Sequence, residues 1–495
     1  MTSKSIDSLQ NDDVKLDSTC AENIKKCDYD KWYYIDKEMI PAKLTYFFTG
    51  LERSSASPYF IMFYISIGLN LKQAGYVFSF SYAGLMVGSV FWGVLADKTR
   101  AHRVLLLTLY ILYGVFALLI PFVSSKIGEK EKNQCPSVKK FSNNSTTNMT
   151  IVDDYSPVST TTLTYVMATL GFFTSSFSGS IYSYIDAGVI EKIIVSSKRK
   201  DFGRQYMFVN IGFAFGALIS GEVMDIFPKV KISCYFAVFS VGIIFLIASC
   251  ICSQYLYKGI IIPSRKEVKS DSFKQDLIQT LTNFEVILFL ITTFVNGFLY
   301  CIYLNYFFLF LKELKATNFL IGLTVGFGST SGIFVNFFNE KIIKLLRGTF
   351  NTIIMCTFLW SVRFFIFYFL INPWLIIPLQ LTLHGLCLSL FFSVKSVHLK
   401  LISPISIHST MFGIIQCLHS GISPIVGSLI GGELYFTYGA RSTFLYVCLI
   451  ALGWTVFLCM YIFVKNRTEK KVCKLSKSAI LDEYPFEVSE CITKF

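Results

Sequence analysis

The chain has 495 residues, of which 53% are hydrophobic and only 16% charged, with a formal net charge of +13. A water-soluble chain of this length divides into several domains and carries more charge, so a wholly soluble architecture is excluded. The 49 phenylalanines exceed what a water-facing surface tolerates, and the apolar residues fall in long runs. A bilayer crossing needs roughly 20 such residues in a helix.

In chain order, residues 1–40 are polar and carry Lys4, Lys15, Lys25, Lys26, Lys31 and Lys37. They lack the apolar stretch of a cleavable signal peptide and read as a cytoplasmic tail. Spans are expected near 43–67, 73–95, 103–124, 161–193, 206–224 and 232–254, then near 285–311, 317–340, 350–371, 374–397, 409–432 and 442–464. The polar segment 255–284, with Arg265, Lys266, Lys269, Asp271 and Asp276, separates the first six from the last six. The expected fold class is an all-α polytopic membrane protein: a six-helix bundle over 41–254, a cytoplasmic linker, a second bundle over 285–464, and a cytoplasmic tail over 465–495.

Basic residues set the orientation. Lys98, Arg100 and Arg103, then Lys198, Arg199, Lys200 and Arg204, then Lys341, Lys344 and Arg347 all fall on the side of the N-terminus. Loops on the other side carry fewer, which places both termini in the cytoplasm. The outer loop 125–160 then holds three sequons, at Asn143, Asn144 and Asn148, which points to a glycoprotein of the plasma membrane. A sequon at Asn466 falls in the cytoplasmic tail and should be unused. The positive charge lies mostly in cytoplasmic loops and tail, where it meets membrane lipids, so no nucleic-acid partner is implied. The 14 cysteines sit mostly inside spans and act as small apolar groups. They form no metal-like pair, and no metal or cofactor is expected. Cys135 and Cys234 are candidates for an outer disulfide.

Glycines four apart recur every third helix: Gly84 and Gly88 in span 2, Gly212 and Gly216 in span 5, Gly322 and Gly326 in span 8, Gly427 and Gly431 in span 11. Such a pair lets another backbone approach closely. Four pairs at this period favour four copies of a three-helix unit, and transporters built from such repeats hold their substrate near the midplane. These faces are expected to slide past one another as the halves rock.

The segment Gly93-Val94-Leu95-Ala96-Asp97-Lys98-Thr99-Arg100-Ala101-His102-Arg103 resembles the signature of the major facilitator superfamily, with the second glycine of the usual pattern missing. Lys43-Leu44-Thr45-Tyr46-Phe47-Phe48, Phe202-Gly203-Arg204-Gln205, Arg363-Phe364-Phe365, Asn372-Pro373-Trp374, His384-Gly385, Met411-Phe412-Gly413, His419-Ser420-Gly421, Gly431-Gly432 and Tyr438-Gly439-Ala440 are similar to its associated group, near the branch of domain-containing protein 6. The resemblance covers about residues 35–465. It implies two pseudo-symmetric six-helix halves working by alternating access, with a central site lined by spans 1, 4, 7 and 10. It implies little about substrate. Glu52-Arg53 departs from the group's apolar pattern in span 1.

Ionisable groups at membrane depth are functional candidates, because burying them is costly. Glu52 and Arg53 lie roughly 14 Å along the helix from Lys43. They read as a substrate or proton site, or as a self-neutralising pair. Asp186, with Tyr182 four residues earlier on the same face, lies at a depth that allows an ion pair with Arg53. Asn296, Tyr300 and Tyr303 follow helical spacing in span 7, and Gln380 and His384 lie four apart in span 10. These groups suit a hydroxylated or amide-bearing solute, or hydrogen bonds between helices. Arg363, with Gln416 and His419, reads as structural, with Arg363 bridging toward span 11. Gly93, Asp97, Lys98 and Arg103 form a candidate conformational latch, in which Asp97 meets the positive N-terminus of span 11. The expected activity is secondary transport of a small polar solute, with protons as a candidate coupling partner through Asp186 or Glu52. The rival is a non-transporting receptor or interaction protein that uses the outer loop. No nucleophile–base pair or phosphate-binding glycine loop supports an enzyme.

Overall fold

The structure, a computed structural model, describes residues 37–99, 101–127, 157–195, 202–226, 234–258, 273–404 and 407–483. The regular structure of the described residues is helical. Span 1 runs as Ile40–Ala56, a tight turn Ser57–Tyr59, and Phe60–Ser66. Pro58 causes the break, because it lacks an N–H and crowds the preceding turn. Spans 2 to 6 are Leu71–Thr99, His102–Ile127, Pro157–Val195, Phe202–Ile226 and Cys234–Leu256. A short helix, Phe273–Thr282, precedes span 7, Phe284–Glu313. The Asn283 side chain caps span 7 by accepting from the Glu285 N–H at 2.9 Å.

Spans 8 and 9 are Asn318–Leu345 and Thr349–Phe369, and span 10 extends from Pro373 to Ile402. Spans 11 and 12 follow from His408, divided at Gly439, whose φ of +78° is open to glycine without strain. Among the described residues, nine segments are long and apolar enough to cross a membrane, one of which, 410–465, holds both spans 11 and 12. Spans 1 and 4 complete the twelve. The first is split by Pro58, and the second is diluted by serine and threonine.

The glycine pairs reveal the internal symmetry. A Cβ at Gly84 would meet Phe172 of span 4, and one at Gly212 would meet Leu51 of span 1. Gly328 abuts His384 of span 10, and Gly427 abuts Cys301 of span 7. Spans 2, 5, 8 and 11 therefore lie against spans 4, 1, 10 and 7, a pattern of inverted repeats within each half. This corrects the expectation that the glycine faces slide between halves. Most of them lock partners inside one half, while Gly322 and Gly326 face span 5 across the interface.

The apolar cores show how the halves sit. On the side opposite the termini, one cluster runs through both halves and includes Tyr59, Phe63, Tyr306, Leu320 and Phe444. On the termini side each half has its own: one around Tyr46, Leu109 and Ile185, the other around Phe289, Phe391 and Met411. The halves share a core at one end and part at the other.

Candidate functional site

Thirteen residues of helix, about 20 Å, carry the chain from Ile40 to Arg53. The Arg53 side chain is exposed although it lies at mid-depth. Its guanidinium rests 4.5 Å above the Tyr182 ring of span 4 and 6.0 Å from Phe213 of span 5. Tyr300 of span 7, in the other half, lies within its electrostatic reach. An accessible group surrounded by spans 4, 5 and 7 faces a chamber between the halves, not lipid.

Glu52 points the other way and is buried, 8% exposed. Tyr113 donates to one oxygen at 2.5 Å and Tyr182 to the other at 3.2 Å. Beside it lies a cavity of about 10 Å³, lined also by Thr49, Tyr110 and Ser249. That is on the order of one water. Asp186 is half-buried and accepts from the Tyr46 hydroxyl at 2.7 Å. The expected Arg53–Asp186 ion pair does not form. Each charge found an aromatic partner nearer to hand, Tyr182 for the cation and Tyr46 for the anion. Sequence spacing could not reveal Tyr113 and Tyr46, because both come from elsewhere in the bundle.

In the second half the polar groups sit on irregular helix. Gln380–Ser389 and Leu418–Ile422 are π-helical, a distortion that frees backbone groups and often marks function. Arg363 is fully buried. It donates from Nη2 to Gln380 Oε1 at 2.6 Å and stacks 3.9 Å from the Tyr303 ring. Gln380 in turn donates to the Tyr303 hydroxyl at 3.2 Å, and His384 Nδ1 lies 3.4 Å from Arg363 Nη2.

The bridge from Arg363 thus runs to spans 7 and 10, correcting the expected bridge to span 11. Gln380 is sealed inside it, while His384 stays partly exposed. Asn296 is also corrected. It is 1% exposed and donates to Thr357 at 2.9 Å, tying span 7 to span 9 and not lining the chamber. Tyr300 is half-buried with its ring 6.2 Å from that of His419. His419 is itself buried, and exposed Gln416 donates to Ser420 at 3.1 Å.

Sequence reasoning missed Lys395. It lies near the edge of the expected span 374–397, but the helix continues to Ile402, which places it about 10 Å inside. The signal was the apolar residues Val397, Leu399, Leu401 and Ile402, which continue past the expected end although His398 and Lys400 fall between them. Lys395 is 3% exposed, its Nζ has no hydrogen-bond partner, and it sits 4.3 Å over the Phe392 ring. A charge at the centre of a span costs roughly 2.5–3.5 kcal/mol on insertion scales, and at the depth of Lys395 the cost is less than that.

The chamber is closed on the side away from the termini. Asp225, at the end of span 5, accepts from Asn318 Nδ2 at 2.6 Å and from the Phe319 N–H at 3.0 Å. It thus caps the first turn of span 8 in the other half. Tyr59 donates to the Asn318 carbonyl at 3.3 Å. On the opposite flank Lys72 pairs with Glu433 at 2.7 Å, and Ser79 donates to the Ile425 carbonyl at 3.0 Å. Nearer mid-depth, Cys417 meets Met86 at 3.3 Å.

At the termini side, Gly93 faces open space, Lys98 is exposed, and exposed Arg103 donates to Gln254 of span 6 at 3.1 Å. The Asp97 side chain, the sequons at Asn143, Asn144 and Asn148, and Cys135 lie outside the described residues.

A family model described as MFS_1 like family matches residues 39–446. Among solved structures, the nucleoside transporter NupG superposes with a TM-score of 0.62 at 13% identity, covering 87% of this chain and 99% of that one. A bacterial homologue of the human drug peptide transporters PepT1 and PepT2 gives 0.56 at 13% identity, covering 87% and 99%. A POT family transporter in complex with 5-aminolevulinic acid gives 0.60 at 12% identity, covering 87% and 97%. At such identities these likenesses establish the fold, and they single out no branch within the superfamily.

Proposed function

Because the chain belongs to the MFS_1 like family, we propose that it is a secondary transporter that carries a small polar solute across a membrane by alternating access. The observation that carries this reading is Arg53, accessible at mid-depth between two halves whose cores merge on one side only. Rotation of 43–254 against 285–464 would open the far side and close the near one. The asymmetry of basic loops puts the termini in the cytoplasm, so this state faces inward, and the sequons favour the plasma membrane. The solved neighbours include a nucleoside transporter and a complex with 5-aminolevulinic acid, which supports a solute of that size and polarity.

Arg53, Tyr182, Asp186, Tyr300 and His384 are the groups assigned to the solute. Asn296, Gln380 and Arg363 hold the wall behind them. Glu52 is the coupling group in this reading. A proton on Glu52 turns one acceptor oxygen into a donor, so the tyrosine bound to that oxygen either reverses its hydrogen bond or lets go. If Tyr182 lets go, the ring under Arg53 moves, which links proton occupancy to the solute site.

The test is uptake of a broad solute panel into vesicles holding the purified protein, with and without a proton gradient. Uptake that vanishes in Arg53→Gln, in a folded variant, supports the assignment. A folded wild-type protein that moves no solute in either direction would refute it.

A further inference from the structure

The two halves differ in charge. Residues 285–464 contain no aspartate, and their four glutamates, Glu285, Glu313, Glu340 and Glu433, all stand near span ends. Yet this half buries Arg363 and Lys395 at depth, and neither has a carboxylate partner among the described residues. Arg363 Nε and Nη1 and Lys395 Nζ lack any hydrogen-bond partner, as does His419 Nε2. Aromatic faces compensate part of this for Arg363, whose guanidinium lies 3.9 Å from Tyr303 and 5.2 Å from Trp360.

Lys395 has only the Phe391–Phe392 pair, at 6.0 and 4.3 Å. His419 packs on the same two rings, at 5.4 and 4.8 Å, and its other face meets Tyr300 at 6.2 Å. Tyr300 in turn lies within reach of Arg53. One line of polar groups, two of them unpartnered, therefore runs from Lys395 of span 10 through His419 of span 11 and Tyr300 of span 7 toward the exposed cation of span 1. Among the described residues nothing supplies the missing negative charge. A buried charge is retained when something pairs with it.

We propose that the solute is a small organic anion, and that Lys395 with His419 forms an anion subsite facing Arg53 across the chamber. The inference rests on the transporter reading and names its substrate class. Phe392 and Tyr300 cover the subsite in the present state. The anion reaches Lys395 when these rings turn, replaces the missing counter-charge, and leaves Glu52 free for its own role, because Glu52 is already held by two tyrosines.

The experiment uses the full-length purified protein. Its unfolding temperature is followed against benzoate, succinate and phenyl phosphate, each beside a neutral counterpart (benzamide, succinamide, benzyl alcohol), with benzylamine as the cation. At least one anion should raise the midpoint at a concentration roughly tenfold below its neutral counterpart, a difference that Lys395→Gln and Arg53→Gln should each erase. Without any solute, Lys395→Met should unfold at a higher temperature than wild type, because it removes an unpaired buried cation.

Stabilisation by the neutral or cationic compounds alone, or by none, overturns the proposal. So does a Lys395→Met variant that unfolds earlier, or a Lys395→Gln variant that keeps the full anion response. Uptake of neutral solutes only would leave transport standing and remove the anion. Anion binding without any flux would do the reverse.

Discussion

Asp225→Asn tests how the far side is held shut. The carboxylate uses both oxygens, one for Asn318 Nδ2 at 2.6 Å and one for the Phe319 N–H at 3.0 Å. Asparagine offers one acceptor oxygen, so one bond is lost and the other is no longer charge-assisted, a loss of about 1 kcal/mol. The negative charge also sits at the N-terminus of span 8, where a partly buried acid contributes up to ~2 kcal/mol. Together the change is about 2–3 kcal/mol, or roughly 30- to 150-fold in the closed-to-open ratio. A far-side-open population of about 1% would rise to roughly a quarter to three-fifths of the molecules.

Spin labels at exposed Tyr76 and Tyr438, on the far-side ends of the two halves, report this opening as a second, longer distance by pulsed electron resonance in a cysteine-free background. An unchanged single distance in folded Asp225→Asn would refute the assignment of Asp225 as the clasp.

Three other outcomes are expected. Glu52→Gln should abolish gradient-driven accumulation while sparing counterflow exchange, since the amide still accepts from one tyrosine but carries no proton. Equal loss of both would make Glu52 structural. Gly212→Leu should prevent span 1 from seating on span 5, because even a Cβ there would lie 2.9 Å from the Leu51 nitrogen. Monodispersity in detergent checks this, and a well-folded variant would reject the close approach. Asp97→Asn should slow cycling more than it harms folding, as read from flux normalised to surface protein. Wild-type flux would reject a latch there.

The twelve crossings and their division were legible in the chain because a bilayer demands uninterrupted apolar runs, and that demand is local. The same holds for the repeat: glycines at four-residue spacing leave a small face that a neighbouring helix can approach closely. Which helix each glycine face meets was not legible, since a small face accepts any neighbour, and the actual partners lie mostly within one half.

Most ionisable residues at depth were legible in the sequence, Lys395 excepted, but their pairing was not. Glu52 and Arg53 are adjacent in sequence yet turn to different environments, one sealed by Tyr113 and Tyr182, the other open to the chamber. Asp225 shows the same limit. It reads as an ordinary acid at the end of span 5, and only the approach of the other half puts a helix terminus in front of it. Hydrophobic periodicity is a property of the chain, whereas charge compensation depends on which distant groups the fold brings within a few ångströms.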